Sequence, residues 1–410
     1  MVRQRHEVRD RFPALDGPDA LLDNAGGSQM PADAIEAAHR YMTQCFVQLG
    51  ADYATSRQAS AIMDQAHRLA RMVVGDDGRG QVILGPSTSC LVAMLADCYR
   101  RAFDPRRPEV IVAESGHEAN VGPWVRLERE GWKPVFWKLD PSNCLCPVET
   151  LRSLVSERTR IVAFPHVSNL LGSIEDVAEI TRIAHSAGAR VVVDGVAYAP
   201  HRAIDAAAWN VDWYVFSTYK VYGPHMAAMY GTREAMSQLE GPNHYFISRD
   251  EGPYKFELGG LLHEGCAAWV GTGAYLGWLA GRETDAALDR SAVIEAFEQM
   301  TALEEPLQRT LLEWLAARQD ITLFGPAASS PLRVPTFSFV HKSMSSRQIA
   351  QAANAAGLGI RFGHYYAHRL CKALGLDPED GVVRVSLVHY NSPEEVQRLI
   401  SFLHEYMSGG

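Results

Sequence analysis

Short apolar runs rich in β-branched residues alternate along much of the chain with stretches whose apolar positions recur at helical spacing. Val82–Leu84, Val110–Ala113, Ile161–Phe164, Val191–Val193 and Trp213–Phe216 predict buried strands. Between them, Leu91–Ala102, Val121–Glu130, Val148–Val155 and Val177–Ala187 predict helices. Strands that are apolar at consecutive positions are covered on both faces, so the alternation predicts an α/β fold with a mainly parallel sheet between helical layers. After Gly271 the texture changes. Ala274 to Arg318 is rich in Ala, Leu, Glu and Arg and predicts long helices. Pro335–His341 and Val382–His389 predict strands around a helical stretch at Ser346–Ala356. The expected organisation is a large domain at 21–272, a smaller α/β domain at 273–410, and an N-terminal segment, 1–20, packed on the small domain.

Composition narrows the class. With 410 residues and 47% hydrophobic content the chain can bury a large core. Thirty-nine basic against 48 acidic residues give a net charge of −9. No basic run is present, which argues against nucleic acid or an anionic membrane as partner. Met1–Arg11 is highly charged and has no apolar core of a signal peptide, and no run of about 18 apolar residues predicts a membrane span. Seven cysteines, an odd and sparse number, fit free thiols in a cytoplasmic protein. Cys144 and Cys146 form a C-x-C pair without a second pair at zinc spacing, so no metal site is expected.

The candidate chemistry lies just after the predicted strands. Asp194 ends the run Val191–Val193, at the strand end where open α/β sheets bind ligands. Lys220 follows Trp213–Phe216 among apolar and aromatic neighbours, which favour an uncharged, nucleophilic amine. Either residue alone reads more simply, as a loop carboxylate or a solvated lysine. Together, 26 positions apart with a helix-sized segment between them, they match the needs of pyridoxal 5′-phosphate (PLP). The carboxylate keeps the pyridine nitrogen protonated, and the amine binds the aldehyde and moves protons at Cα. Ser87, Thr88 and Ser89 open a predicted helix and offer hydroxyls and amides to a phosphate, although serine there also serves as a helix cap. Ser217 and Tyr219 flank the lysine and add further donors. His117 follows Val110–Ala113, where its ring could stack on the cofactor, and Asn169 follows Ile161–Phe164, where its amide could bond the pyridine O3′.

Read in sequence, these segments resemble the class V aminotransferase family, within it the cysteine desulfurase and selenocysteine lyase group. Leu22-Asp23-Asn24-Ala25-Gly26 is similar to the family's LDNAA segment, which lies beside the substrate and implies Asn24 and Ala25 as substrate contacts. His117 with Ala119-Asn120 resembles EHHAN, whose first histidine stacks on PLP. His166-Val167-Ser168-Asn169-x-Leu171-Gly172 resembles HVSNxLG, and Asp194-Gly195 resembles DGAQ. Ser217-x-Tyr219-Lys220-x-x-Gly223-Pro224 resembles SGHKxxGP with its Schiff-base lysine. Arg384, in Val383-Arg384-Val385-Ser386-Leu387-x-x-Tyr390-Asn391, resembles the RxSLxxYN arginine that grips the substrate carboxylate. The likeness covers nearly the whole chain. It implies a fold-type-I PLP-dependent transferase with a mainly parallel seven-stranded sheet, a homodimer with active sites near the subunit interface, and an amino acid as substrate.

Three departures bear on the reaction. Where the desulfurases carry RAGxHC, this chain reads Arg361-Phe362-Gly363-His364-Tyr365-Tyr366, with Tyr366 at the place of the sulfur-accepting cysteine. Tyrosine does not accept sulfane sulfur as a thiolate does, and Cys371 lies five residues further on in a predicted helix. Ala197 replaces the glutamine of DGAQ, leaving Tyr198 or His201 as candidates for its contact, and Gly260 stands where a neighbouring subunit's threonine would meet the phosphate. The expectation is a β-eliminating C–S lyase in which Lys220 and His117 are catalytic and no protein persulfide forms. Transamination, epimerisation, decarboxylation or an aldol-type step on the same scaffold is the alternative, and a non-catalytic partner protein a third.

Overall fold

In the computed structural model, which describes residues 3–283 and 288–408, the apolar runs assemble into one seven-stranded sheet. In chain order its strands are β1 (Gly80–Gly85), β2 (Glu109–Ala113), β3 (Lys133–Trp137), β4 (Thr159–Pro165), β5 (Arg190–Asp194), β6 (Trp213–Ser217) and β7 (Ala227–Thr232). Their spatial order is β1-β7-β6-β5-β4-β2-β3, and β7 alone runs antiparallel to its neighbours. Successive side chains of a strand face opposite ways, and both faces are buried here. Val191 and Val193 of β5 enter one core cluster, and Val192 enters the other.

Two strands escaped the sequence pattern. β3 is an edge strand in which only Trp137 is buried, so its Lys133-Pro134 start carries no apolar run. β7 is fully buried up to Gly231 but reads Ala-Ala-Met-Tyr-Gly-Thr, a composition poor in β-formers. The helix expected over 121–130 is shorter. It runs from Gly122 to Arg126, then tightens into a 3₁₀ turn that ends at Gly131 in the left-handed region.

Strand direction positions the site. Pro165 pairs with Asp194, Asp194 with Val215, Ser217 with Ala227, and Ala227 with Gly85. β1 and β6 are both antiparallel to β7, so they run the same way. The segments after β1, β2, β4, β5 and β6 therefore emerge at one edge of the sheet.

The C-terminal region forms a second, antiparallel sheet of β8 (Ile321–Phe324), β9 (Thr336–His341), β10 (Arg361–Gly363) and β11 (Val382–Ser386), in the order β10-β11-β9-β8. The helix Arg290–Ala317 joins the two regions. Val293, Phe297 and Met300 pack into the large core, while Leu307, Leu311 and Leu315 pack with the second sheet. The expected boundary at 272/273 falls inside one helix, His263–Leu279, which is apolar on nearly all sides and packs on Ala32–Gln44 and Ala54–Val74. A division there would cut a buried helix in two.

The N-terminal segment is tied down at several points. Arg5 donates to the carbonyl oxygens of His389 (2.9 Å) and Leu303 (2.6 Å), and Arg9 pairs with Glu395 at 3.0 Å. Ala20–Leu21 pairs in parallel with Leu358–Gly359. Among the described residues no helix is long and apolar enough to cross a membrane.

Candidate active site

A cavity opens at the sheet edge where the strands end. Lys220 reaches it from a 3₁₀ turn, Thr218–Lys220, whose shape is set by Thr218: its N–H donates to the Met226 carbonyl (2.9 Å) and its hydroxyl to that of Pro224 (2.6 Å). The lysine is only 9% exposed. Its ammonium has no hydrogen-bond acceptor among the described residues. Burial pushes its pKa down to about 8, and the positive Arg384 pushes the same way. Near neutrality a useful fraction of the amine is therefore uncharged.

Asp194 lines the same cavity. Its Oδ1 accepts the Val196 N–H at 3.0 Å, while Oδ2 has no donor among the described residues. Burial raises this carboxyl's pKa, opposed by the Val196 bond and the charge of Lys220. Gly195 follows because nothing larger fits: a Cβ there would lie 2.1 Å from the Tyr214 ring. His117 is driven down to about 4, first by burial and then by Lys220 and Arg384. It is a neutral imidazole at pH 7. Its Nδ1 accepts the Ala119 N–H at 3.0 Å, which leaves the proton on Nε2.

Ser87, Thr88, Ser89, Ser217 and Tyr219 line one end of the cavity. Ser87 caps the helix Thr88–Arg101 by accepting the Cys90 N–H at 3.1 Å, so its oxygen is partly committed. The Thr88 and Ser217 hydroxyls share a 2.8 Å hydrogen bond. The first N–H groups of this helix have no intrahelical acceptor, and they share the cup with these hydroxyls. A carboxylate with one open oxygen, a desolvated amine, a neutral imidazole and an anion cup, all in one cavity, provide what PLP requires of a protein.

Of the residues expected to meet the substrate, Asn24, Ala25 and Arg384 do not line the cavity. Asn169 lines the cavity, but its Nδ2 donates to the Tyr365 carbonyl at 2.9 Å and its buried Oδ1 has no partner. The donor expected to meet a pyridine oxygen is thus already engaged. The Asn24 side chain is engaged within the protein. Its amide donates to Leu21, Ser386 and Asn391, its Oδ1 accepts from Tyr390, and it joins the chain's two ends. Ala25 offers no side-chain polar atom, and its N–H is spent on the Ser386 hydroxyl at 2.8 Å. Arg384 is buried against Asp23 (2.8 Å) with the Tyr365 ring 3.8 Å beneath it.

The residues at the three departures are also placed. Ala197 lines the cavity, but Tyr198 stacks on His166 at 3.6 Å and His201 pairs with Glu304 at 2.9 Å, so neither takes up the missing glutamine's contact. Tyr366 is 67% exposed and its ring centre lies 5.4 Å from that of His117. Cys371 is buried in the helix His368–Ala373, its thiol pushed up to about 11 by burial. Among the described residues no cysteine lines the cavity. Gly260 has a φ of +97° and nothing within reach of a Cβ. Sequence reasoning gave no role to Asp23 or Tyr365. An acidic residue in a segment expected beside a carboxylate-binding arginine was the available signal for Asp23; Tyr365 carried none.

Comparison with known proteins agrees with this architecture. The family described as aminotransferase class-V matches residues 20–399. The chain is 38% identical to the aminotransferase-like protein FGM3 of Gibberella zeae, over 96% of each chain. It is 30% identical to the cysteine desulfurase-like protein ustD of Aspergillus flavus, over 98% of this chain and 90% of that one. Among solved structures, the cysteine desulfurase CsdA of Escherichia coli superposes with a TM-score of 0.83 at 25% identity, covering 100% of this chain and 99% of the other.

Proposed function

The chain belongs to the class V aminotransferase family of PLP-dependent, cysteine desulfurase-like enzymes, and from that premise we propose that it is a lyase that expels a sulfur leaving group from the β-carbon of an amino acid without forming a protein persulfide. One observation carries this reading: the cavity presents a desolvated amine together with a carboxylate, and among the described residues no thiol lines it.

PLP bound there supplies the electron sink on which a carbanion at Cα depends. Lys220 would anchor it and move the Cα proton, a task suited to an amine whose pKa lies near 8. Asp194, with Oδ2 open, would keep the pyridine nitrogen protonated. The hydroxyls of Ser87–Ser89, Ser217 and Tyr219 would hold the phosphate, and neutral His117 would cover the ring without adding charge. Arg384 receives the substrate's α-carboxylate. Loss of the Cα proton then releases the β-sulfur as a thiol, and hydrolysis of the remaining unsaturated amine gives the keto acid and ammonia. Cysteine plus water would yield pyruvate, ammonia and sulfide in equal amounts. Measuring these three products from cysteine, and pyruvate, ammonia and thiocysteine from cystine, tests the reading; absence of turnover on every sulfur-bearing amino acid overturns it.

The similarity to a protein named aminotransferase-like favours a second reading, transamination, on the same residues. It would convert one equivalent of amino acid to keto acid and stop until a second keto acid was added. We further infer a homodimer. Met42, Phe46, Leu258 and Leu262 are exposed, and the Tyr41 ring meets both Phe46 and His263, so these residues form one apolar face. Sedimentation at micromolar concentration checks this, and a monomer would overturn it.

A further inference from the structure

Arg384 sits on β11 with Ser338 opposite it on β9 and Arg361 opposite it on β10. Its guanidinium has five N–H donors, and the residue is 2% exposed. Nη2 donates to Asp23 Oδ1 at 2.8 Å, and Nη1 to the Asn169 carbonyl at 3.3 Å. Nε is buried and has no partner among the described residues. The N–H bonds of Nε and Nη2 point the same way along one edge of the fork, which a carboxylate fits with both oxygens. Asp23 uses half of that edge. Its second oxygen turns instead to Arg361 Nη1, at 3.4 Å. A buried donor is left unpaired beside a carboxylate that does not satisfy it, a costly arrangement unless something else completes the pair.

We propose that Asp23 is a positioning residue that occupies the carboxylate edge of Arg384 in the resting enzyme and passes to Arg361 when an amino acid arrives. The incoming carboxylate takes Nε and Nη2 together, which satisfies the orphaned donor. Asp23 keeps a cation because its other oxygen already faces Arg361. Gly26 leaves room for the Asp23 carboxylate on its Arg361 side, since a Cβ there would lie 2.7 Å from Asp23 Oδ2. A free carboxylate, with its charge and two oxygens, can displace Asp23, whereas an ester, thioester or amide cannot. The site is therefore selective for free α-amino acids. This rests on the reading that Arg384 receives the α-carboxylate.

The test titrates the cofactor absorbance of the holoenzyme with L-alanine, which has no β-leaving group, and reads the apparent Kd. Asp23→Asn removes the competing charge and is expected to tighten binding by about three- to tenfold, a gain that a merely structural aspartate would not produce. Arg361→Gln removes the alternative partner and is expected to weaken binding by a similar factor. In the double variant the cost of losing Arg361 is expected to vanish, because no Asp23 charge remains to be held. Unchanged or weaker binding in Asp23→Asn, persistence of the full Arg361→Gln cost in the double variant, or no response to L-alanine in any of these proteins overturns the inference. Arg361 is 59% exposed, so its variant folds even if Asp23→Asn does not, and an unchanged Kd in Arg361→Gln alone also overturns it. Arg384→Lys separates the two readings. If it binds as tightly as the parent, the carboxylate role of Arg384 fails. If it weakens binding while Asp23→Asn does not tighten it, only the role of Asp23 fails.

Discussion

Two lysines of this protein are buried, and their surroundings have opposite logic. Lys255, 4% exposed, lies in the turn Tyr254–Phe256 and donates to the carbonyl oxygens of Met236 (2.9 Å), Leu239 (3.1 Å) and Arg249 (2.7 Å). All three of its N–H bonds are spent on tying the 236–256 loop to the body of the protein. Lys220 is nearly as buried, yet none of the described residues accepts a hydrogen bond from it, and the nearest strong charges are Arg384 and Asp194. Removing an ammonium from water costs several kcal/mol unless hydrogen bonds or charges compensate. At Lys255 burial also lowers the pKa, but three carbonyls hold the ammonium and offset part of the cost, and the residue is structural. At Lys220 no described residue accepts from the amine, and the pKa falls to about 8, which leaves the amine available. Burial alone thus does not mark a reactive lysine; burial without partners does.

Substituting each lysine in turn gives the sharpest contrast. Lys220→Ala is expected to abolish measurable turnover and the cofactor's absorbance band while leaving the denaturation midpoint unchanged or higher. Lys255→Ala is expected to lose about 2–4 kcal/mol of stability, because three buried carbonyls lose a charged donor, while the folded fraction turns over within about twofold of the parent. Denaturant melts paired with absorbance and rate measurements check both. Equal loss of stability in the two variants would break the contrast.

Asp194→Asn comes next. The amide keeps the Val196 N–H bond but cannot hold a proton on a pyridine nitrogen, so turnover is expected to fall by about three orders of magnitude with the fold intact. A loss below tenfold would mean that the carboxylate does not meet the ring nitrogen.

The pH dependence of stability is a smaller effect, read on the protein without cofactor. Lys220 has a folded pKa of about 8, against an ordinary value near 10.4 in the unfolded chain. Below pH 8 both states carry the proton and the full cost of burying the charge is present. Between pH 8 and about 10.4 the unfolded chain binds more protons than the folded one, so stability rises by up to about 1.4 kcal/mol per pH unit from this residue. The difference in unfolding free energy between the parent and Lys220→Met, followed by urea titration from pH 7 to 10, should shrink across that window. A constant difference would show that the amine is not desolvated as described.

The cavity and its surroundings were not equally legible in the sequence. Ser87, His117, Asn169, Asp194 and Lys220 could be located because each follows a strand whose apolar run is visible locally, and parallel pairing brings such strand ends to one edge. β3 and β7 left no such run, yet their absence from the prediction did not disturb that edge, since neither carries a predicted site residue. The polar network around Arg384 depends on contacts across about 200 to 370 positions. Asn24 meets Asn391, Arg384 meets Asp23, and Asn169 meets the Tyr365 carbonyl. Local pattern contains no information on which of these polar groups satisfy one another, so the bonds that tie Asn24 to Leu21, Ser386, Asn391 and Tyr390 could not be read from it. The expected boundary at 272 rests on a change of composition near Gly271, and that change lies within a helix buried on nearly all sides.

Tyr366 should show the smallest effect, and it extends the contrast to a third kind of group. Its phenol, like the Lys220 amine, has no hydrogen-bond partner among the described residues, but the residue is exposed and water satisfies it. What holds Tyr366 is its backbone. Its N–H donates to His364 Nδ1 at 3.0 Å, its carbonyl accepts the Glu118 N–H at 2.8 Å, and both Tyr365 and Tyr366 adopt positive φ. The ring lies tilted beside His117, whose imidazole is already neutral without it. Tyr366→Phe keeps the ring and the loop and deletes only the hydroxyl, so kcat/KM is expected to change by less than about twofold, near the limit of ordinary surface substitutions. A loss of tenfold or more, with the pH profile altered on its alkaline side, would place the phenol among the proton-transferring groups. An exposed, water-satisfied group would then be acting as acid or base, and lack of partners under burial would no longer suffice to find the chemistry of this site.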